Sequence, residues 1–235
     1  REQAGRIFDL LQDGNLLHHY VNRGKRLDCI PVTRVTKNYP LIIRQRLGLD
    51  SPGILWAKGD LSVLKQPAIS LVGSRELRKE NYAFSQAVGY HAAEQGLVLV
   101  SGNARGADRA AQEACVSSGA KVISIVADSL AERSMQENVL YLSEDSFDEG
   151  FSSQRALSRN RVIHSLAQAT FVAQCAYQTG GTWDGSVKNL RFGWSPLYIF
   201  DDGSESMNLL EQMGAVKIGF ENLKDLNDLP TPSQM

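Results

Sequence analysis

The sequence predicts a doubly wound α/β fold, with a mostly parallel Rossmann-like sheet and a small N-terminal appendage. Three observations predict it. From residue 68 onward, apolar runs of strand length alternate with stretches of helical periodicity, the signature of right-handed βαβ units. The apolar runs are continuous rather than alternating, as strands covered by helices on both faces require. The chain has 235 residues, 43% of them hydrophobic and 22% charged. That suits one large domain whose core needs no disulfide staples.

The elements follow in order. Ile7, Leu10 and Leu11 have helical spacing, and a turn is expected at Asp13-Gly14-Asn15 before a second apolar cluster. Residues 31–36 alternate and read as a short strand. Tyr39-Pro40 opens a connector with breakers at Pro52-Gly53 and Gly59-Asp60. Strands are expected at 68–72, 97–100, 121–126, 139–143, 170–174, 196–200 and 215–218. Helices are expected at 79–94, 107–117, 131–137, 154–168, 183–191 and 207–212. Gly96 and Gly119 stop the first two of these helices. Residues 223–235 are polar, carry two prolines and read as a linker or loose end. The expected division is an N-terminal helical segment and connector over 1–60, the sheet domain over 61–222, and the tail over 223–235.

The formal net charge of -1 excludes a uniformly basic nucleic-acid binder, but the charge is uneven. Residues 1–60 carry ten Lys/Arg and six Asp/Glu, whereas residues from Ser195 onward carry two and seven. Any anion site in the middle of the chain must therefore come from local clustering. Apolar runs are too short for a transmembrane helix, so no membrane partner is expected. Cys29, Cys115 and Cys175 are widely spaced and read as buried reduced thiols, which fits a cytoplasmic protein. His18, His19, His91 and His164 show no metal spacing and read as surface or satisfied core residues, so neither metal nor cofactor is expected.

Ligands of such sheets bind outside the carboxyl ends of the strands. Three loops there are rich in glycine and hydroxyls and lead into helices. They are Gly73-Ser74-Arg75, then the loop with Ser101, Gly102, Ala104, Arg105 and Gly106, then Thr179-Gly180-Gly181-Thr182. Helix-entry amides with Ser and Thr hydroxyls form an anion cradle, and Arg75 and Arg105 add bidentate phosphate recognition. Arg155, Arg159 and Arg161 follow on the next helix, the first two on one face. Asp108 is read first as a structural partner of Arg105 or Arg75; Arg159, Asn160 and Arg161 are counted with the phosphate- and DNA-binding candidates, Asn160 reading also as a bridge between loops. Trp183 reads either as core or as a base-stacking ring. Neither GxGxxG nor GxxxxGK[ST] is present, so dinucleotide and P-loop sites lose their main support.

At these loops the sequence resembles the DNA-processing protein A (DprA/Smf) family. The resemblance is carried by Tyr39-Pro40, by Ile54 through Leu61, and by Ile69 through Arg75. It continues through Ser101-Gly102-Asn103-Ala104-Arg105-Gly106-Ala107-Asp108 and Arg159-Asn160-Arg161-Val162-Ile163. Gln112 stands where the family has a histidine, and Ala156-Leu157 where it has Phe-Pro. The resemblance implies an extended Rossmann fold, a homodimer, binding of single-stranded DNA and its delivery to a RecA-type recombinase, and the leading reading is a non-enzymatic single-stranded-DNA-binding protein. It also implies that the loops at Gly73 and Ser101 shape a phosphate pocket.

The rival reading is a nucleotide-binding or nucleotide-cleaving protein on the same fold, with Arg105 on phosphate and Asp108 or Asp184 as acid/base. The loop at 179–185 is similar to the glycine-rich loop of phosphoribohydrolases, but Gly185 stands where their glutamate would be. A third reading is a nucleotide sensor that signals through its oligomer.

Overall fold

The computed structural model describes residues 14–144 and 146–230. Nine strands form one sheet in the order β1-β2-β6-β5-β4-β3-β7-β8-β9. They are β1 (Ile30–Thr33), β2 (Ile54–Lys58), β3 (Ala68–Val72), β4 (Val98–Ser101), β5 (Val122–Val126), β6 (Val139–Glu144), β7 (Thr170–Val172), β8 (Leu197–Phe200) and β9 (Val216–Ile218). The sheet from β6 to β9 is parallel, while β2 pairs antiparallel with β6 and β1 antiparallel with β2.

Helices cover both faces, which accounts for the continuous apolar strands: every residue of β3, β4 and β5 is buried. On one face, α3 (Lys79–Glu94) and α4 (Ala107–Ser117) bury Phe84, Val88, Ala111 and Cys115 against Leu71, Leu99 and Phe171. On the other face lie α2 (Leu41–Leu47), α6 (Asn160–Leu166), α7 (Gly180–Phe192) and α8 (Glu205–Gln212). They bring Ile43, Val162, Ile163 and Leu210 against Val100, Ile123 and Val172. α1 (Gly14–Arg26) packs over the antiparallel edge through Tyr20, whose ring lies 4.7 Å from Phe147, itself 4.7 Å from Trp56. The Tyr20 hydroxyl donates to Asp148 at 2.9 Å, and Arg23 pairs with the same carboxylate.

Several expectations need correction. Gly14 and Asn15 open α1 rather than a turn; Asp13, Ile7, Leu10 and Leu11 lie outside the described residues. No helix forms over 131–137. That segment is tied down as a loop by a two-pronged Arg133–Asp128 contact and by the Ala131 amide donating to Phe147 O at 2.8 Å. The helix expected over 154–168 is two: α5 (Ser153–Ser158), capped by the Ser152 hydroxyl, and α6, with Arg159 at the joint. The tail is not loose where it is described. Leu223 and Leu226 are buried in the core, and Gln95 of the α3 end holds both through their backbones. Ile54–Lys58 and Leu41–Leu47, expected as connector, are a strand and a helix.

From β3 the chain winds through β4 and β5 to β6 on one side. From β7 it winds through β8 to β9 on the other. β3 and β7 are neighbours, so the topological switch lies between them. The carboxyl-terminal loops of β3, β4 and β7 open at that place.

Candidate nucleic-acid interface

A cavity of about 800 Å³ lies at the switch. Gly73, Ser74 and Arg75 wall it from β3, Ala104, Arg105 and Asp108 from β4, and Thr179, Gly180, Gly181 and Thr182 from the start of α7. Arg159 and Asn160 close the fourth side. The three loops singled out from sequence thus meet on one sheet edge. The β3 and β7 loops are clasped by Gln174: its backbone carbonyl accepts from the Ser74 amide at 2.9 Å, and its side-chain amide donates to Glu76 O at 3.2 Å.

Ser101, Gly102 and Gly106 do not line the cavity; they shape the loop behind it. Gly106 has φ 90°, and a Cβ there would overlap the Ser74 and Arg75 carbonyls. Only glycine brings the β3 and β4 loops this close. Asp108, in the first turn of α4, is buried and accepts the amides of Gly102 at 3.1 Å and Ala104 at 3.2 Å. It therefore does not pair with Arg105 or Arg75, the partners expected from sequence. Burial pushes its carboxyl up, while the facing Arg159 guanidinium and these amides pull it back.

Three guanidinium groups converge here. Arg75 is exposed, and its charge acts unfavourably on Arg159. Arg105 is exposed and reaches Glu76 at 3.1 Å. Arg159 is buried, with its Nε unpartnered among the described residues. Like charges brought together in a concave, partly dry place call for an anion. The α7 entrance adds to this, because no side chain caps it and its first residues line the cavity.

The other arginines are elsewhere. Arg155 is one helical turn before Arg159, whose amide donates to its carbonyl at 3.0 Å, but its guanidinium is spent on the carbonyls of Ala127, Glu149 and Gly150. Arg161 pairs with Glu144 and lines a second, neighbouring cavity. Asp184 also lines that second cavity, held by Lys188 at 2.8 Å. Asn160 bridges loops as expected, donating to Gly181 O at 3.0 Å. Trp183 is half-buried against the core and does not line the anion cavity.

Two lining residues gave no functional signal in sequence. Phe151 lines the cavity and is 59% exposed, the position of a ring that can meet a base. His164 lies at the cavity floor, fully buried, and neither ring nitrogen has a partner among the described residues. It is therefore not the satisfied core histidine expected. Burial alone drives its pKa down to about 3, so the imidazole is neutral. The cysteines are free and buried as expected, with Cys115 pushed up to about 12 by burial.

The sequence profile of the family described as DNA recombination-mediator protein A matches residues 31–218, a span that holds the whole cavity. The chain belongs to that family. It is 31% identical over 179 residues to the DNA processing protein DprA of Streptococcus pneumoniae, covering 71% of this chain and 63% of that protein. The chain thus spans less than two thirds of that DprA. The solved DprA structure from S. pneumoniae superposes with a TM-score of 0.76 at 24% identity, over 93% of this chain and 79% of that one. DprA from Helicobacter pylori, solved for its single-stranded DNA binding mode, gives 0.68 at 22% identity, over 83% and 92%. At these identities the two structures establish the shared DprA fold. No helix among the described residues is long and apolar enough to cross a membrane.

Proposed function

We propose that the chain binds single-stranded DNA through the backbone phosphates at the β3–β4–β7 cavity and acts in DNA processing without chemistry of its own. The observation that carries this reading is the convergence of Arg75, Arg105 and Arg159 on one concave site with the uncapped entrance of α7. A cavity of this size admits one phosphodiester strand, whereas a duplex is too wide to enter. Exposed Phe151 and Tyr177 stand on and near its rim for unstacked bases. Family membership and the strand binding of the H. pylori DprA support the same ligand.

Handing the strand to a RecA-type recombinase, action as a homodimer and a cytoplasmic location are part of the proposal, and rest on the family. The deciding experiment titrates a labelled single-stranded oligonucleotide against an equal-length duplex and a mononucleotide. Single-strand preference is expected; tightest binding of the mononucleotide would favour a nucleotide sensor or nucleotide-cleaving protein instead.

A further inference from the structure

We propose that the second cavity, on the far side of the Asn160–Gly181 bridge, receives a nucleobase of the same DNA strand whose phosphate occupies the first. This rests on the strand-binding reading above and adds a base subsite to it. The two cavities adjoin: Leu157, Asn160, Gly180 and Gly181 line both, and the 3.0 Å Asn160–Gly181 hydrogen bond is the sill between them.

Their chemistry differs. The first gathers guanidinium groups in excess over carboxylates. The second, of about 1040 Å³, is lined by three basic and three acidic side chains. Each of its cations is already engaged: Arg46 by the carbonyls of Ser165 and Ala167, Arg161 by Glu144, and Lys188 by Asp184. With Asp50, Glu144 and Asp184 against these three cations, the lining carries no net positive charge to attract a phosphate. The cavity instead offers what a neutral, flat, polar-edged ring takes. Phe192 is 58% exposed at its wall and lies at 5.6 Å and 18° to Trp194, a parallel aromatic pair. Leu157, 48% exposed, stands on the shared rim, so an apolar surface leads from one cavity to the other. A strand that leaves its phosphate at Arg75 and crosses the sill runs along α7, about 18 Å from Gly180 to Phe192, and places there a base two or three nucleotides on.

The experiment compares a short thymidine oligonucleotide with one of the same length built from abasic residues, each titrated by anisotropy onto the full chain and onto Phe192→Ala. Loss of one stacking ring should weaken the base-bearing strand roughly tenfold and leave the abasic strand unchanged. Phe192→Trp should restore the affinity. A 5-iodouracil oligonucleotide irradiated on the unaltered chain should cross-link at Phe192 or Trp194, a readout independent of any variant's folding. Equal effects of Phe192→Ala on both strands, no effect on either, or cross-links confined to the first cavity would overturn the base subsite while leaving the phosphate site standing. If the unaltered chain binds neither strand, the strand-binding reading falls and the subsite falls with it.

Discussion

Gly102 and Arg159 occupy each other's space: a Cβ on the glycine at the end of β4 would overlap the guanidinium that roofs it. The β4 loop is thereby built around an arginine from the joint of α5 and α6. Asp108 fixes the loop from below through the Gly102 and Ala104 amides. Gly102→Ala should cost about 1–3 kcal/mol as overpacking, and should weaken oligonucleotide binding by displacing Arg159. In Arg159→Ala the obstruction is gone. Adding Gly102→Ala to it should then change stability by less than about 0.5 kcal/mol. Urea unfolding of the four proteins measures this, and simple additivity of the two substitutions would show that the pair does not interact.

His164 makes stability depend on pH. Its folded pKa of about 3 lies below its ordinary 6.5, so between those values the unfolded chain binds a proton that the folded chain does not. Stability is therefore full above the unfolded pKa and falls as pH drops through the window. At pH 5 the gap is about 1.5 pH units, or about 2 kcal/mol. His164→Leu should remove this component. Unfolding free energies at pH 7 and 5 for both proteins decide it, and an unchanged slope in the leucine variant would assign the pH dependence to other groups.

The parallel half of the sheet was legible because burial on both faces leaves unbroken apolar runs, as in Leu97 to Val100 and Val122 to Val126. The three site loops were legible because glycine and hydroxyl residues at strand ends have few other reasons to recur. What sequence missed was decided by distant partners. Residues 131–137 have helix-forming composition, yet the Asp128 and Phe147 contacts win. Arg155, Arg159 and Arg161 read as one basic cluster on one continuous helix. The partners around them send one to loop carbonyls, one into the anion cavity and one to Glu144. Phe151 sits in a stretch without periodicity, so nothing local marked its ring as part of the site.

No turnover of nucleoside monophosphates is expected. General acid/base work needs a carboxylate within hydrogen-bond reach of the scissile bond. The carboxylates lining the anion cavity are Asp108, which already accepts two amides, and Glu76, which pairs with Arg105 at the exposed rim. Asp184 belongs to the neighbouring cavity and is held by Lys188. Chromatography of a nucleotide incubated with the protein should show no free base. Release that disappears on Asp184→Ala would promote the nucleotide-cleaving reading.

Salt dependence gives the most direct count of the phosphate contacts. Arg75 and Arg105 are exposed at the cavity mouth and Arg159 is buried behind them. Each phosphate neutralised on a single strand releases condensed counterions, so affinity falls with log salt by about 0.7 per contact. Three guanidinium contacts give a slope of roughly -2 per protomer, and a dimer aligning two cavities would steepen it on long strands. Arg75→Ala and Arg105→Ala should each weaken binding strongly and flatten the slope by about 0.7, because each removes one charge without touching the core. Arg155→Ala differs in kind: its guanidinium holds the carbonyls of Ala127, Glu149 and Gly150 rather than the strand, so stability should suffer while the salt slope stays. Anisotropy titrations across a salt series separate the two behaviours. Equal affinity for duplex and single strand, or a slope indifferent to both Arg75→Ala and Arg105→Ala, would remove the DNA from this cavity.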